Sequence, residues 1–284
     1  MDKCTQLVND FKKITVMLLM VLLVAGCSNK VLKSWTITQQ NDKVIWADDG
    51  SQVAIVILSF EENPGSFLGG TTDKRNFKHQ IVVQNLDGSE RQAITKWRDH
   101  QNGQLFFMKQ AGYLVVESLL ANGARRFDKV SENGNEILII ETPNNEHQPC
   151  RDRESSSPPQ VHHTVIPSPD GLQLAHIYSP TCGKVTIEFS HANNLNLFDG
   201  QTMDIDEPMT AMWHPDGYVI LATNNNDKAW KVTPLATPLP ISPPNCMSPV
   251  TTSSEVSMEG QKVYFDGDKL ATKDVGSQKA FGCI

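Results

Sequence analysis

Apolar side chains along most of the chain alternate with polar ones or form short β-branched runs, and turn-forming residues interrupt them every few positions. Such alternation is typical of strands, whereas a helix would repeat its apolar positions every three or four residues. The pattern therefore predicts a chain built mostly of strands. The predicted strands are 43–47, 52–60, 79–86, 113–120, 136–142, 172–178, 184–189, 218–223 and 262–265.

Glycine recurs in a turn before five of the apolar strands, at successive intervals of 62, 59, 46 and 43 residues. Intervals of about 40 to 50 residues, each holding four strands, are typical of β-propeller blades. The spacing therefore predicts a repeating all-β fold in which longer intervals contain inserted loops. The five glycines are Gly50, Gly112, Gly171, Gly217 and Gly260.

Aspartate precedes three of these glycines, at Asp49, Asp170 and Asp216. An Asp-Gly pair suits a tight turn, because glycine tolerates a positive φ and the carboxylate can accept nearby hydrogen bonds. We interpret the three aspartates as turn residues and not as catalytic carboxylates. Trp46 and Trp213 each stand four residues before a repeat glycine, and we expect them to fill space between blades.

Four stretches resemble the repeats of TolB-like propellers, which also occur in the propeller domains of prolyl-oligopeptidase relatives. They are WADDGSQVAIV (46–56), QNLDGSERQAIT (84–95), PSPDGLQLAHIY (167–178) and WHPDGYVILAT (213–223). The resemblance implies a circular array of blades whose strands run from the centre outward, with loops on both faces as binding surface. Prolyl-oligopeptidase relatives carry their catalytic residues on a separate hydrolase domain, which we do not expect here.

The expected fold is an all-β propeller of five recognisable four-stranded blades over residues 34–284, or six if a degenerate blade lies within 232–250. Residues 34–40 are expected to supply the outer strand of the last blade and so to close the ring. An irregular β-sandwich is the alternative, since alternation and turns alone suit that fold as well.

The N-terminal region contains an apolar run from Val16 to Ala25, directly after Lys12, Lys13 and two further residues. A membrane-spanning helix needs about 20 apolar residues, whereas the apolar core of a signal peptide needs about 7 to 15. The run is therefore too short to span a bilayer, and it predicts a signal peptide over residues 1–26. An uncleaved anchor is the alternative.

The run ends at Val24-Ala25-Gly26-Cys27, which resembles the lipobox of bacterial lipoproteins. The resemblance implies acylation of the Cys27 thiol, cleavage before Cys27 and attachment to a membrane of the cell envelope. Residues 27–33 then form a short tether. Ser28 is not the aspartate that retains lipoproteins in the inner membrane of enterobacteria, so we expect the outer membrane, on the periplasmic side.

Four further cysteines, an even number, suit two disulfides in an oxidising compartment. Among the three possible connectivities we favour Cys150 with Cys182 and Cys246 with Cys283, because each pair joins a Pro-rich segment to a nearby repeat. A zinc site is the rival, but no two of the four form a C-x-x-C pair. We therefore expect no metal ligands among them.

The net charge and the catalytic motifs that the sequence lacks limit the functions that the protein can be expected to have. Removal of 26 of the 284 residues leaves 258, with 22 basic and 30 acidic side chains and a formal charge of −8. A negative field does not suit nucleic acid or anionic lipid headgroups, so we expect the lipid and not a basic patch to hold the protein at the membrane. No nucleophile elbow, zinc-protease motif or phosphate-binding loop occurs, and we expect no cofactor. His162 and His163 are adjacent, so on a strand they point to opposite faces and suit a structural or solvated role.

Two segments, 142–160 and 233–255, are rich in Pro, Ser, Asn and Thr and are predicted to be irregular. A rigid scaffold with such loops suits recognition, so we expect a non-catalytic binding or scaffolding protein whose partner is a protein or the cell wall. The alternatives are a propeller hydrolase or lyase with a non-local active site, and an accessory of a secretion or surface-polymer system.

Overall fold

The computed structural model describes most of the region predicted to fold. The signal peptide 1–26, the tether 27–33 and His162 lie outside the described residues, as do Cys27, Cys150, Cys182, Cys246 and Cys283. No helix within the described segments is long and apolar enough to cross a membrane. The structure describes residues 35–63, 72–99, 101–120, 122–141, 163–180, 183–205, 209–214, 216–223, 227–243, 255 and 260–275.

Within these described segments, eighteen strands form five sheets, in which strands that follow one another in the chain are hydrogen-bonded neighbours. The first sheet contains β1 (Thr36–Trp46), β2 (Val53–Asn63), β3 (Asp73–Gln84) and β4 (Gln92–Ala93). The second contains β5 (Gln101–Met108), β6 (Tyr113–Leu119), β7 (Arg125–Ser131) and β8 (Glu136–Glu141).

The third sheet contains β9 (Thr164–Pro167), β10 (Gln173–Tyr178), β11 (Lys184–His191) and β12 (Asn194–Asp204). The fourth contains β13 (Met209–His214), β14 (Tyr218–Thr223), β15 (Ala229–Val232) and β16 (Leu239–Ile241). The fifth pairs β17 (Gln261–Asp266) with β18 (Lys269–Asp274). The N–H of Val263 also donates to the carbonyl of Glu255 at 2.8 Å. β17 is therefore hydrogen-bonded to β18 and also to the segment that precedes it.

All nine predicted strand segments coincide with strands of the structure. Two finer predictions are wrong. Residues 34–40 do not supply a strand of the last sheet, because β1 runs unbroken from Thr36 to Trp46 and is the first strand of the first sheet. Within 233–255, residues 239–241 are not irregular and do not begin a sixth blade; they form β16, where Pro240 is tolerated because β16 is an edge strand.

Successive sheets pack face to face through four buried apolar clusters. One lies between the first and second sheets, one between the second and third, and one between the third and fourth. The fourth joins β17 of the fifth sheet to β1 and β2 of the first. Each sheet in the middle of this series is therefore covered by a neighbour on both faces.

The strand β2 shows why its sequence is continuously apolar. Val53 and Ile55 belong to the cluster shared with the fifth sheet, whereas Ala54 and Val56 belong to the cluster shared with the second sheet. Because side chains along a strand alternate between faces, a strand buried on both faces needs apolar residues at every position. All four residues are at most 1% exposed.

Aromatic side chains hydrogen-bond from one sheet to the next. The indole N–H of Trp46 donates to the carbonyl of Gln261 at 2.8 Å, and that of Trp213 donates to the carbonyl of Ile166 at 3.0 Å. Both tryptophans are buried, which confirms the prediction that they fill space between repeats. Their polar N–H groups are thus satisfied inside apolar surroundings, as buried indoles require.

The turns before the second strands have the predicted chemistry. Asp49 accepts hydrogen bonds from the backbone N–H and hydroxyl of Ser51, and Asp170 accepts from the N–H of Leu172 at 3.0 Å. The five repeat glycines have φ between 69° and 85°. The turn role is therefore confirmed for Asp49 and Asp170. Asp216 lies in the corresponding turn, but the described contacts include no hydrogen bond from that turn to its carboxylate.

Contacts along the chain divide it into two compact units. The smaller consists of residues 1–38 and 60–75, and the larger of residues 39–59 and 76–284. All four apolar clusters consist of residues of the larger unit. The packing of successive sheets is therefore a property of the larger unit.

A buried ion-pair network holds the rim of the first sheet to the second. Asp128 on β7 is fully buried and accepts from Arg98 Nη1 at 2.8 Å and from Arg126 Nε at 2.9 Å. Arg98 also pairs with Glu136. Removal of one partner would leave a buried charge uncompensated, which is strongly destabilising.

We predict that Asp128→Asn lowers the free energy of unfolding by about 3 to 5 kcal/mol. Urea unfolding followed by fluorescence measures the change. Asp204→Asn is the matched control, because Asp204 lies 3.9 Å from Lys184 with its side chain 89% exposed, and it should change stability by less than about 0.5 kcal/mol. Equal effects of the two substitutions would contradict the assignment of Asp128 to a buried network.

Gly171→Ala and Gly217→Ala should differ although both glycines have positive φ. Each substitution places alanine in the left-handed region, at a cost of about 1 to 2 kcal/mol. A Cβ at Gly171 would also lie 2.6 Å from the Cβ of Ala111, in the turn between β5 and β6, whereas a Cβ at Gly217 meets nothing within 4 Å. Urea unfolding should therefore show the larger loss for Gly171→Ala, and a larger loss for Gly217→Ala would contradict this packing.

Candidate functional site

The second, third and fourth sheets each have two distinct ends. At one end a tight turn joins the first strand to the second, and we call this the turn end. The first strands β5, β9 and β13 begin at the opposite end, which we call the leading end. β9 contacts both β5 and β13, and the beginnings of β5 and β9 lie close together, because Thr164 is hydrogen-bonded to Gln104.

A buried carboxylate, Glu117 on β6, lies at the leading end. Its side chain is 6% exposed, and Arg125 Nη1 on β7 donates to Oε1 at 2.6 Å. The other oxygen, Oε2, accepts the backbone N–H of Gln104 on β5 at 2.8 Å. Both carboxylate oxygens therefore have partners, which offsets the cost of burying the charge.

Glycine at position 103 makes room for this carboxylate. A Cβ on Gly103 would lie 2.5 Å from Oε2 of Glu117, so no other residue fits without displacing it. The pairing of β5 with β6 is irregular between Asn102 and Leu105, and this bulge presents the N–H of Gln104 to Glu117. The local backbone is thus shaped around one acidic side chain.

A lysine from the first sheet approaches the same place. Lys43 Nζ on β1 donates to the carbonyl of Gly103 at 3.0 Å. Burial lowers the pKa of Lys43, while the negative charges of Glu255, Glu117 and Asp42 act in the opposite direction. Glu117 therefore has two cations near it, Lys43 from the first sheet and Arg125 from its own.

His163 and Thr164 bring the third sheet into the site. The hydroxyl of Thr164 donates to Oε1 of Gln104 at 2.7 Å. The ring of His163 stacks on Tyr178, with centroids 5.3 Å apart, and lies 5.9 Å from the centroid of Phe127. Nε2 of His163 is buried and has no hydrogen-bond partner within the described part of the chain.

A second histidine lies in the same face of the third sheet. His176 on β10 is 3% exposed, and its Nε2 lies 3.0 Å from the hydroxyl of Ser190. Burial lowers the pKa of His176 to about 4. Burial, assisted by His176 and Arg125, also lowers the pKa of His163 to about 4, so both imidazoles are neutral near pH 7.

These polar side chains form what we call the leading-end cluster. It carries two cations and one anion that are hydrogen-bonded within the protein, and one imidazole nitrogen that has no partner among the described residues. Over the residues that the structure describes, no three His, Cys, Asp or Glu side chains are placed to hold a metal ion. The arrangement is suited to binding a polar surface. The cluster consists of Lys43, Gln104, Glu117, Arg125, His163 and Thr164.

Sequence reasoning singled out only one member of the cluster, His163, and its structural contacts with Tyr178 and Phe127 agree with the structural role expected for it. Glu117 carried a signal that could have been used, since it is the one charged residue within the apolar run YLVVESLL. Lys43, Gln104 and Arg125 gave no such signal, because polar residues at strand ends are common. The predicted lipidation and disulfide cysteines are outside the described residues.

No protein-family model matches the chain, and no curated protein sequence matches it. Solved structures are similar to it. Oligogalacturonate lyase in complex with manganese has 10% identity over 84% of this chain and 64% of that chain, with a TM-score of 0.46. Acylaminoacyl peptidase of Pyrococcus horikoshii has 7% identity over 84% of this chain and 39% of that chain, with a TM-score of 0.45.

Streptogramin B lyase has 13% identity over 86% of this chain and 74% of that chain, with a TM-score of 0.39. The chain spans less than two thirds of the length of the first two structures. The described residues form four four-stranded antiparallel sheets and a two-stranded fifth that pack on one another in chain order, as propeller blades predicted from the repeats would, and not as the sheets of the irregular sandwich that was the alternative.

The buried histidines predict a loss of stability in acid. An unfolded histidine has a pKa of about 6.5, so a folded pKa of about 4 means that protons bind the unfolded chain more tightly. The contribution of neutral His176 is complete above pH 6.5 and is lost as the pH falls toward 4. It amounts to about 3 kcal/mol.

We predict that His176→Gln flattens the dependence of the urea midpoint on pH between 6.5 and 4. His191→Gln on the neighbouring strand, where the histidine is exposed, should leave that dependence as in the wild type. An unchanged pH dependence in His176→Gln would show that His176 is not buried in its neutral form.

Proposed function

We propose that this protein is a lipid-anchored component of the bacterial envelope that binds a macromolecular partner at the leading end of its propeller and catalyses no reaction. The observation that carries the proposal is the leading-end cluster, to which three sheets contribute polar side chains. Its donors and acceptors are arranged by a rigid backbone, which lowers the entropy lost on binding.

The two ends of the sheets differ in how the chain connects them. At the turn end, four residues separate β5 from β6 and five separate β9 from β10. At the leading end, 22 residues separate β8 from β9. Long connections on a rigid scaffold commonly supply binding specificity, so the leading end favours recognition.

The polar groups of the turn end are occupied by local structure. Asp49 and Asp170 accept hydrogen bonds from their own turns, and Asp48 accepts the N–H groups of Lys109 and Gln110 at 2.8 and 3.2 Å. These carboxylates hold turns and neighbouring sheets together. The leading-end cluster differs from them in one respect, because it includes Nε2 of His163, which has no partner within the described residues.

The membrane anchor and the class of partner come from the sequence. The lipobox-like stretch before Cys27 supports acylation there and an outer-membrane position facing the periplasm. The negative charge of the mature chain favours a partner with a neutral or basic surface, either a protein or the cell wall. The repeats support a TolB-like propeller, a class for which binding of partners is a natural use of the two faces.

Site-directed photo-crosslinking tests which end binds. Leu172 and Pro180 are both exposed, and they lie one residue before and two residues after β10. A strand of six residues spans about 20 Å, so the two positions sample opposite ends of one strand. A photoreactive residue at position 180 should give an envelope cross-link that one at position 172 does not. Cross-links from position 172 alone would contradict binding at the leading end.

Two further measurements separate the parts of the proposal. Labelled palmitate should enter the wild type and not Cys27→Ala, and equal labelling would refute the anchor.

Deletion of 144–149 and 151–158, with Cys150 retained, should weaken the cross-link from position 180 and leave thermal unfolding nearly unchanged. If the purified protein turns over a glycan, peptide or ester and His163→Gln abolishes that turnover, the non-catalytic assignment is wrong.

A further inference from the structure

We infer that the smaller unit, residues 35–38, 60–63 and 72–75 as described, lies against the headgroups of the membrane that holds the protein. The inference rests on the lipid anchor of the proposed function. It adds that the folded chain itself contacts the bilayer, through a surface formed by the beginnings of β1 and β3 and the end of β2.

The charge of the smaller unit differs from that of the rest of the chain. Its described residues carry two basic and three acidic side chains, and Lys30 and Lys33 of the preceding tether bring the net charge from Cys27 onward to +1. The larger unit has 18 basic and 27 acidic residues, a net charge of −9. Anionic lipid headgroups repel negative protein surface and attract basic residues, so the smaller unit is the part that suits contact.

The two described cations of the smaller unit, Lys74 and Arg75, lie on aromatic rings. The guanidinium of Arg75 is 3.8 Å from the ring centroid of Trp35, and Nζ of Lys74 is 4.3 Å from that of Phe60. Tryptophan with flanking cations is typical of the interface between water and lipid. Ile37, two residues after Trp35 in the chain, is an apolar residue that is 73% exposed.

Two of the three acidic residues of the smaller unit, Glu61 and Glu62, have partners within it, whereas Asp73 is exposed. Glu61 accepts from Arg75 Nε at 2.9 Å, and Glu62 accepts from the hydroxyl of Thr38 at 3.2 Å. These carboxylates are thereby partly neutralised or hydrogen-bonded. They oppose headgroup contact less than isolated carboxylates would.

The distance along the chain from the anchor also favours contact. Trp35 follows Cys27 by eight residues. A fully extended chain covers at most about 3.6 Å per residue, so the Cα atom of Trp35 lies within about 29 Å of the lipidated cysteine. The smaller unit is the part of the described structure with the shortest chain path to the bilayer.

Quenching of tryptophan by brominated lipid tests this contact. The native lipoprotein is reconstituted in vesicles of phosphatidylethanolamine and phosphatidylglycerol, with and without brominated acyl chains. We expect quenching in the wild type, loss of most of it in Trp35→Phe and a reduction in Ile37→Ser. The control variants Trp97→Phe and Leu172→Ser, which alter exposed apolar residues of the larger unit, should retain it.

A second arm distinguishes this inference from the anchor itself. The chain from Ser28 onward carries an N-terminal histidine tag and is held on the same vesicles by a nickel-chelating lipid, without acylation. Quenching that depends on Trp35 in this arm, with no palmitate on Cys27 in cells, would refute the anchor and support the contact. Palmitate on Cys27 with quenching unaffected by Trp35→Phe would overturn the inference and leave the anchor in place.

Discussion

The structure depends on the burial of both faces of its sheets against neighbouring sheets. A sheet covered on one face only can alternate apolar and polar residues, whereas residues 53–58 of β2 are apolar at every position. Trp46 and Trp213 add a hydrogen bond across such contacts, from an indole N–H to a backbone carbonyl of the next sheet. The residues of each repeat therefore determine how neighbouring sheets pack, as well as where the turns form.

The leading-end cluster lies where this apolar packing stops. Between the second and third sheets the buried cluster around Tyr113, Phe127 and Leu174 gives way to His163, His176 and the Glu117–Arg125 pair. Polar groups at the margin of an apolar contact are costly unless they have partners. Both carboxylate oxygens of Glu117 have hydrogen-bond partners, and the absence of a side chain at Gly103 leaves space for the carboxylate. The backbone at this place is therefore shaped to hold a buried polar group.

The sequence predicted correctly those features that the residues of a single strand or turn determine. Alternation identified nine strands, and Asp-Gly pairs identified turns whose glycines do adopt positive φ. It was uninformative where pairing depends on distant residues. β4 has two residues and β16 has three, too few to show a period, and residues 34–40 gave no sign that they begin β1. The leading-end cluster joins residues from position 43 to position 164, which only the packing of three sheets brings together.

The central claim is that the leading end is the binding surface. Hydrogen exchange followed by mass spectrometry, on the lipoprotein in native envelope vesicles and after purification, tests it directly. Amides at the beginning of β5 and in the connections after β6 and β10 should exchange more slowly in the envelope, while those of the turns at 109–112 and 168–172 should not change. Slower exchange confined to those turns would contradict the account.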